Sequence, residues 1–234
     1  MVERKHDIVI FDMDGTLVDS TYHHAITWQQ ALHDNGVDVE TWRIHRSIGL
    51  GGDKIVTQVA GEEVEKAKGD EIRDRQSKLF AKVRDLVEPL PGAKELIEQL
   101  RGDFKVVIGS SGEKQDVEKS LAIVGLKEQD VDGMTTSSDV EDSKPDPDIF
   151  GEACKKVDGA SAIVVGDSVY DVVAAARAGF PCIGVLTGGF SETELLDSGA
   201  ILVVESLTEL LDADWVELAN SDVPDGAADE PDVN

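Results

Sequence analysis

Short apolar runs rich in β-branched residues recur along the chain, and stretches with helical spacing separate most of them. Five runs are clear, and GMTTSS at 133–138 is a weaker sixth candidate. The clear runs are DIVIF (7–11), KVVIG (105–109), AIVVG (162–166), CIGVL (182–186) and ILVVE (201–205). Continuous apolar strands that alternate with helices indicate a parallel sheet with helices on both faces. The pattern therefore predicts an α/β fold.

Residues 20–87 interrupt this alternation. They contain four helical patterns in succession and no convincing strand. A helical insert that directly follows the first strand lies over the carboxyl ends of the strands, so its position predicts a small all-helical cap. The core then consists of residues 1–19 and 88–220. The last segment, 221–234, contains five acidic residues and no basic ones, and we predict that it is disordered.

The charge balance restricts the partners of the protein. Acidic residues number 48 against 22 basic ones, which gives a formal net charge of -26. Nucleic acids and anionic membranes both require a positive surface, so neither is an expected partner. An ordinary acidic protein would fit this composition. We favour a halophilic, high-salt cytoplasm, where a Debye length of about 3 Å at roughly molar salt reduces carboxylate repulsion.

The sequence also predicts a cytoplasmic location. The apolar run at the N-terminus has only four residues before Asp12, so no signal peptide is expected, and no stretch approaches transmembrane length. Cys154 and Cys182 could form one disulfide, but two buried, reduced thiols are the favoured interpretation. The expected oligomeric state is a monomer or a homodimer.

Polar side chains follow the predicted strands at the edge where ligands of such sheets bind. Asp12 and Asp14 leave the same face of the chain after the first strand, and two carboxylates so close require a cation or a shared proton. The other candidates are Ser110 after the second strand, Lys144 after the weak third, and Asp167 with Asp171 after the fourth. Carboxylates suit Mg²⁺, whereas a hydroxyl and an ammonium suit phosphoryl oxygens.

Each of these residues alone has an ordinary structural explanation. Ser110 could cap a helix, Lys144 could be a solvated loop lysine, and Asp167 could be the N-cap of the following helix. Together they form a recognisable series. DMDGT, the Ser110 fragment, SKPDPDIF and GDSVYD resemble, in order, the four motifs of the haloacid dehalogenase superfamily, over residues 7–190. The resemblance implies a Rossmann-like core with a helical cap.

The resemblance also implies the roles of the carboxylates. Asp12 is the expected nucleophile and forms an aspartyl-phosphate. Asp14 is the expected general acid for the leaving alkoxide, and then the base for the hydrolytic water. The cofactor Mg²⁺ is expected on Asp12, on the main-chain carbonyl of Asp14 and on Asp167, with Asp171 close by.

The remaining expected site residues bind the phosphoryl group or shape the turn. Lys144 and Ser110 would stabilise the transferring group. Gly15 permits a tight turn and Thr16 fixes it by a side-chain hydrogen bond. Together with Ser111, these two residues are expected to contact the substrate.

The branch of the superfamily follows from two further features. True dehalogenases of this superfamily lack the second aspartate, so Asp14 indicates phosphoryl transfer. DSTYHHAITW resembles the start of the cap in β-phosphoglucomutases, with His24 and Trp28 at the matching positions, although Trp28 is favoured as cap core. Those mutases use a cap arginine that IGLGGDK lacks, and Lys54 could replace it.

The predicted function is a Mg²⁺-dependent phosphatase for a small phosphorylated metabolite, of the phosphoglycolate or sugar-phosphate type. His24 and Lys54 are its candidate substrate-binding residues in the cap. A β-phosphoglucomutase-like mutase is the alternative. A phosphate-accepting signalling module or a binding protein without catalysis is the third interpretation. The order of the motifs, the cap and Asp14 disfavour the signalling module, and the filled catalytic positions disfavour the non-catalytic binding protein.

Overall fold

The computed structural model describes residues 4–227 of the 234-residue chain. Six parallel strands form one sheet in the order β3-β2-β1-β4-β5-β6. Their bounds are β1 Ile8–Phe11, β2 Lys105–Gly109, β3 Gly133–Thr135, β4 Ala162–Gly166, β5 Cys182–Val185 and β6 Leu202–Val204. The predicted α/β parallel sheet is confirmed, and the weak sixth candidate forms β3.

Helices cover both faces of this sheet. Alternate side chains of β1 enter opposite apolar clusters: Val9 and Phe11 lie in one, Ile8 and Ile10 in the other. The core helices are α5 Ala93–Leu100, α6 Lys114–Ile123, α7 Asp148–Lys156, α8 Val169–Arg177, α9 Glu192–Asp197 and α10 Trp215–Leu218. Short 3-10 helices occupy Glu128–Asp130, Ser137–Asp139, Leu186–Gly188 and Leu207–Asp212.

The elements of the predicted cap segment, residues 20–87, are helices. It contains α1 Thr21–Asp34, α2 Thr41–His45, α3 Gly52–Ala60, α4 Glu62–Val83 and the 3-10 helix Arg84–Leu86. These helices share an apolar cluster of their own, in which Trp28, Leu32 and Ile72 are buried. Phe80 of α4 packs instead in one of the two clusters on the sheet, so the segment forms a small layer above the strand ends that is also joined to the core.

The two chain connections between core and cap run antiparallel to each other. Val18 forms an antiparallel bridge with Pro89. The main-chain N–H of Asp19 donates to the carbonyl of Glu88 at 2.9 Å, and that of Leu90 donates to the carbonyl of Leu17 at 3.0 Å. The base of the cap is therefore a short two-stranded ribbon.

The start of the acidic C-terminal segment differs from the prediction of disorder. Nε2 of the buried His6 lies 3.0 Å from the carbonyl oxygen of Ser221, Lys5 forms an ion pair with Asp222, and Ala227 is buried against Gly199. One exposed ion pair and contacts of the buried His6 and Ala227 hold residues 221–227 despite their polar composition. The other residues of the predicted tail, 228–234, lie outside the described part of the chain.

Two expectations about cysteines and membranes can be compared with the structure. Cys154 and Cys182 are both free and buried, so the alternative of a disulfide between them is wrong. Among residues 4–227, no helix combines the length and the apolar character needed to cross a bilayer.

Candidate active site

The sheet brings the predicted site residues to one edge. Asp12 follows β1, Ser110 follows β2 and Asp167 follows β4, and β1 lies between the other two strands. The main-chain N–H of Asp12 donates to the carbonyl of Val165 at 2.9 Å, which extends the pairing of β1 and β4 by one step. Because parallel strands end at the same edge, side chains that are distant in sequence meet there.

Three buried carboxylates form a cluster at this edge. Asp12, Asp167 and Asp171 each offer an oxygen within 4.8 Å of the others. Asp171 lies in the first turn of α8, where Ser168 caps the helix: the Ser168 hydroxyl donates to Oδ2 of Asp171 at 2.6 Å, and its main-chain N–H does so at 3.1 Å. The capping box thus fixes the third carboxylate of the cluster.

Lys144 is the cation of this cluster and is itself buried, with 2% of its side chain exposed. Its Nζ lies 2.5 Å from Oδ1 of Asp12 and 2.7 Å from Oδ1 of Asp171. Burial alone would lower the pKa of Lys144, but these two carboxylates raise it, so the side chain remains an ammonium. One positive charge then faces three carboxylates.

The remaining negative charge fits a divalent cation. Burial raises the pKa of Asp12 to about 7, although Lys144 opposes this effect, and burial raises the pKa of Asp167 well above its usual range. Oxygen donors of this kind are the ligands of Mg²⁺, and a cation would keep the carboxylates ionised. A Cβ atom placed on Gly15 or on Gly188 would lie 2.1 Å from Oδ2 of Asp167, so two glycines leave room around this oxygen.

Asp14 lies outside the carboxylate cluster and contacts the cap. Its Oδ1 accepts a hydrogen bond from the Ser20 hydroxyl at 2.6 Å and lies 3.2 Å from Nε2 of His24. The imidazole of His24 stacks on Phe80, and its Nδ1 lies 3.2 Å from the amide nitrogen of Gln76. Burial alone would raise the pKa of Asp14, but the charge and hydrogen bond of His24 and the hydrogen bond of Ser20 lower it.

A cavity of about 390 Å³ separates this site from the cap. The core contributes Asp12, Asp14, Ser110, Ser111 and Lys144 to its lining, and the cap contributes His24, Trp28, Arg73, Gln76 and Phe80. The Ser111 hydroxyl is buried without a partner in the described protein, so it is available to a ligand. Trp28 belongs to the cap cluster, as favoured, and also reaches the cavity.

Lys54 is not placed as the sequence predicted. It does not line the cavity, because its Nζ forms an ion pair with Asp146 and donates to the carbonyl of Ser143 at 2.6 Å. Gly15 and Thr16 also lie away from the cavity, beside the carboxylate cluster. The Thr16 hydroxyl donates to Oδ1 of Asp167 at 3.2 Å, so it supports a carboxylate of the cluster rather than only the turn.

Several site residues on the cap were missed in the sequence. Arg73, Gln76 and Phe80 lie on one face of α4, about 50 residues after His24. Their spacing signals only a helix face, and nothing local connects them with Asp14. Ser20 was missed as well, although a hydroxyl residue before a helix is a recognisable cap signal.

Comparisons with known proteins agree with this architecture. A family model described as haloacid dehalogenase-like hydrolase matches residues 9–185. Validoxylamine A 7'-phosphate phosphatase of Streptomyces hygroscopicus subsp. limoneus is 27% identical over 221 residues, which cover 88% of this chain and 96% of that protein. Phosphoglycolate phosphatase of Vibrio parahaemolyticus is 26% identical over 224 residues, covering 91% and 97%.

A solved structure supports the same assignment. A hydrolase from Pseudomonas syringae superposes with a TM-score of 0.85 at 31% identity, covering 92% of this chain and all of that one. The family match extends over most of the sheet and all of the cap. The chain therefore belongs to the haloacid dehalogenase-like hydrolases, and it is a phosphoric monoester hydrolase of that family.

Proposed function

We propose that the protein is a Mg²⁺-dependent phosphatase that hydrolyses a small phosphomonoester, of the sugar-phosphate or phosphoglycolate type, through an aspartyl-phosphate. The observation that carries this proposal is the position of Asp12: its buried carboxylate contacts Lys144, adjoins two further carboxylates and lines the cavity between core and cap. The relatives named above are phosphatases of small phosphorylated metabolites, which supports the same substrate class.

The residues divide the chemistry among them. Asp12 attacks phosphorus, the bond from phosphorus to the ester oxygen breaks, and Asp14 donates its proton to the leaving alkoxide. Asp14 then takes a proton from water, which attacks the aspartyl-phosphate and releases phosphate. Asp12, Asp167 and Asp171, with the main-chain carbonyl of Asp14, would hold Mg²⁺, which supplies positive charge to the phosphoryl oxygens when bound.

Lys144 and two serines bind the transferring group in this scheme. The Lys144 ammonium lies on the cavity floor beside Asp12, and Ser110 and Ser111 line the same wall. They stabilise charge on the phosphoryl oxygens, which is the main requirement of phosphoryl transfer.

Hydrolysis is favoured over mutase activity by the cap. No arginine lies in IGLGGDK, and Lys54, its candidate substitute, is engaged by Asp146. We expect hydrolysis of a hexose 1-phosphate without formation of the 6-phosphate. Stoichiometric isomerisation observed by NMR, with little free phosphate, would favour the mutase.

Trapping the intermediate tests the proposed roles. Asp14→Asn protein, mixed with an aryl phosphate and Mg²⁺ and quenched in acid, should accumulate a phosphoryl adduct on Asp12, visible by intact mass and peptide mapping. Attack on an activated ester needs no acid, whereas breakdown needs the base, whose contribution is about 10²–10⁴-fold. Asp12→Asn protein should form no adduct. An adduct on Ser110 or on Asp14 would refute the assignment.

We also place the protein in the cytoplasm, as a monomer or homodimer. Free and buried Cys154 and Cys182 support a reducing compartment. Light scattering of the purified protein, and localisation in the source cells by fractionation, test these two statements.

A further inference from the structure

The wall of the cavity above Asp12 is acidic. Besides Asp12 and Asp14, four carboxylate residues line it: Asp53 from the cap, and Glu113, Asp116 and Glu141 from the core. Glu113 and Glu141 are exposed, and Asp53 accepts a hydrogen bond from the Ser143 hydroxyl. Asp116 alone among the four is paired with an arginine, Arg84.

The cations of the cavity lining are already engaged. The lysine and arginine among its described residues are Lys144 and Arg73, and the imidazole of His24 is engaged by Asp14. Lys144 is shared between Asp12 and Asp171. The Arg73 guanidinium binds both oxygens of Glu65, at 2.8 and 2.9 Å, and Asp70 at 2.8 Å. The guanidinium is thus paired with two carboxylates when no ligand is bound. The described residues of the wall therefore offer no uncompensated cation to a second anionic group.

The same wall offers what a neutral, hydroxyl-rich group needs. Trp28 adds aromatic carbon to the lining, against which the CH groups of a sugar pack, and Phe80, stacked on His24, adds further apolar surface. Carboxylates accept hydrogen bonds from hydroxyl groups, and Ser77 adds a hydroxyl from α4. A volume of about 390 Å³ lies within the range of about 300–1,000 Å³ that small-molecule sites occupy.

We infer, resting on the proposed function, that the alcohol released from the substrate is an uncharged polyhydroxylated group such as a monosaccharide. Carboxylate-bearing esters such as phosphoglycolate, and sugar bisphosphates, are poorer substrates because the acidic wall repels their second charged group. The phosphoryl group binds at Asp12 and Lys144, and the specificity of the enzyme lies in the charge of Asp53, Glu113 and Glu141.

A matched pair of esters tests this inference. 2-Hydroxyethyl phosphate and phosphoglycolate differ in a hydroxymethyl group against a carboxylate. At a fixed Mg²⁺ concentration, kcat/KM should be about tenfold higher for 2-hydroxyethyl phosphate than for phosphoglycolate. The kcat/KM for fructose 1-phosphate should exceed that for fructose 1,6-bisphosphate by a similar factor. A preference for the neutral ester below about fivefold, in either pair, overturns the inference.

Variants of the wall identify the cause. Glu113→Gln and Asp53→Asn should each raise severalfold the kcat/KM for phosphoglycolate relative to that for 2-hydroxyethyl phosphate. Each substitution removes one negative charge and keeps a hydrogen-bond acceptor. Glu118→Gln, on α6 but outside the cavity lining, is the matched control and should leave the ratio unchanged. Added salt should reduce the preference of the wild type for the neutral ester, because it screens the charges of the wall. Unchanged ratios in both wall variants refute the assignment.

Failure of the proposed function gives a different result. If p-nitrophenyl phosphate is not hydrolysed at all, the phosphatase proposal fails. The charge preference can still be measured as binding of the same two esters to the wild-type protein by calorimetry. Tighter binding of the neutral ester supports the inference in that case as well, and equal or weaker binding contradicts it.

Discussion

Nε2 of His24, on the first cap helix, lies 3.2 Å from Oδ1 of Asp14, at the end of the central strand. This contact crosses from cap to core and reaches the residue to which we assign the proton transfers. Gln76 lies 3.2 Å from the other ring nitrogen, and Phe80 stacks on the ring with centroids 3.9 Å apart. The cap therefore holds the imidazole in one orientation toward the acid.

Loss of this contact should impair proton transfer. We expect His24→Ala to lower kcat/KM for an alkyl phosphate by about tenfold, the effect of about 1.4 kcal/mol in the barrier. The defect should be smaller for an aryl phosphate, whose leaving group needs no proton. His23→Ala, at the neighbouring position, is the control. Equal losses on both esters would indicate a merely structural role.

Removal of the metal should abolish turnover and lower stability. Exhaustive chelation leaves Asp12, Asp167 and Asp171 to repel one another, and added Mg²⁺ should restore activity and raise Tm. At a concentration of 100 times Kd the stabilisation is about 2.7 kcal/mol. Asp171→Asn should weaken the thermal shift and Glu118→Gln should not. Full activity after chelation would contradict the assigned cofactor.

Replacement of Lys144 should destabilise the fold. Lys144→Met leaves Asp12 and Asp171 buried without their cation, which costs about 3–5 kcal/mol in urea unfolding without metal. Activity should be lost. Lys144→Met combined with Asp171→Asn should recover part of the stability but none of the activity. A single variant as stable as the wild type would show that the buried ion pairs contribute little.

His6 should make stability depend on pH. Burial lowers the pKa of His6 below 6.5, so the folded state favours the neutral ring and protonation favours unfolding. Its contribution is complete above about pH 6.5 and is lost as the pH falls through that value toward the lower pKa of the folded state. The Tm advantage of the wild type over His6→Gln should therefore shrink on acidification. About 1 kcal/mol corresponds to about 2–4 °C.

A second histidine, His33, should change stability with pH in the opposite direction and serves as a control. The hydrogen bond and charge of Asp38 raise the pKa of the exposed His33. Any stabilisation from His33 is present below about pH 6.5 and is lost at higher pH, through the raised pKa of the folded state. A Tm advantage of the wild type over His6→Gln that stays constant across this pH range would contradict the titration assigned to His6.

The sheet and its catalytic edge were accessible from the sequence because both depend on local patterns. Each strand is a short apolar run, Asp12 and Asp167 directly follow such runs, and Lys144 lies in the loop after a third. Other contacts depend on how α1, α3 and α4 pack and on which loop lies beside them. Examples are the contact of His24 with Gln76 and the ion pair of Lys54 with Asp146, which keeps Lys54 out of the cavity. No pattern within one segment encodes these choices. The contacts of residues 221–227 were missed for a related reason. They are made by the carbonyl of Ser221 and the side chain of Ala227, and neither residue stands out in an acidic segment.

The ribbon at the base of the cap limits how the cap can move. A single connecting chain would allow rotation about several bonds, whereas two antiparallel chains joined from Leu17 to Leu90 and from Asp19 to Glu88 restrict such rotation. Any opening of the cap that keeps these hydrogen bonds would therefore bend this ribbon. His24 would then return to Asp14 along the same path, and little orientational entropy would be lost when their contact forms again.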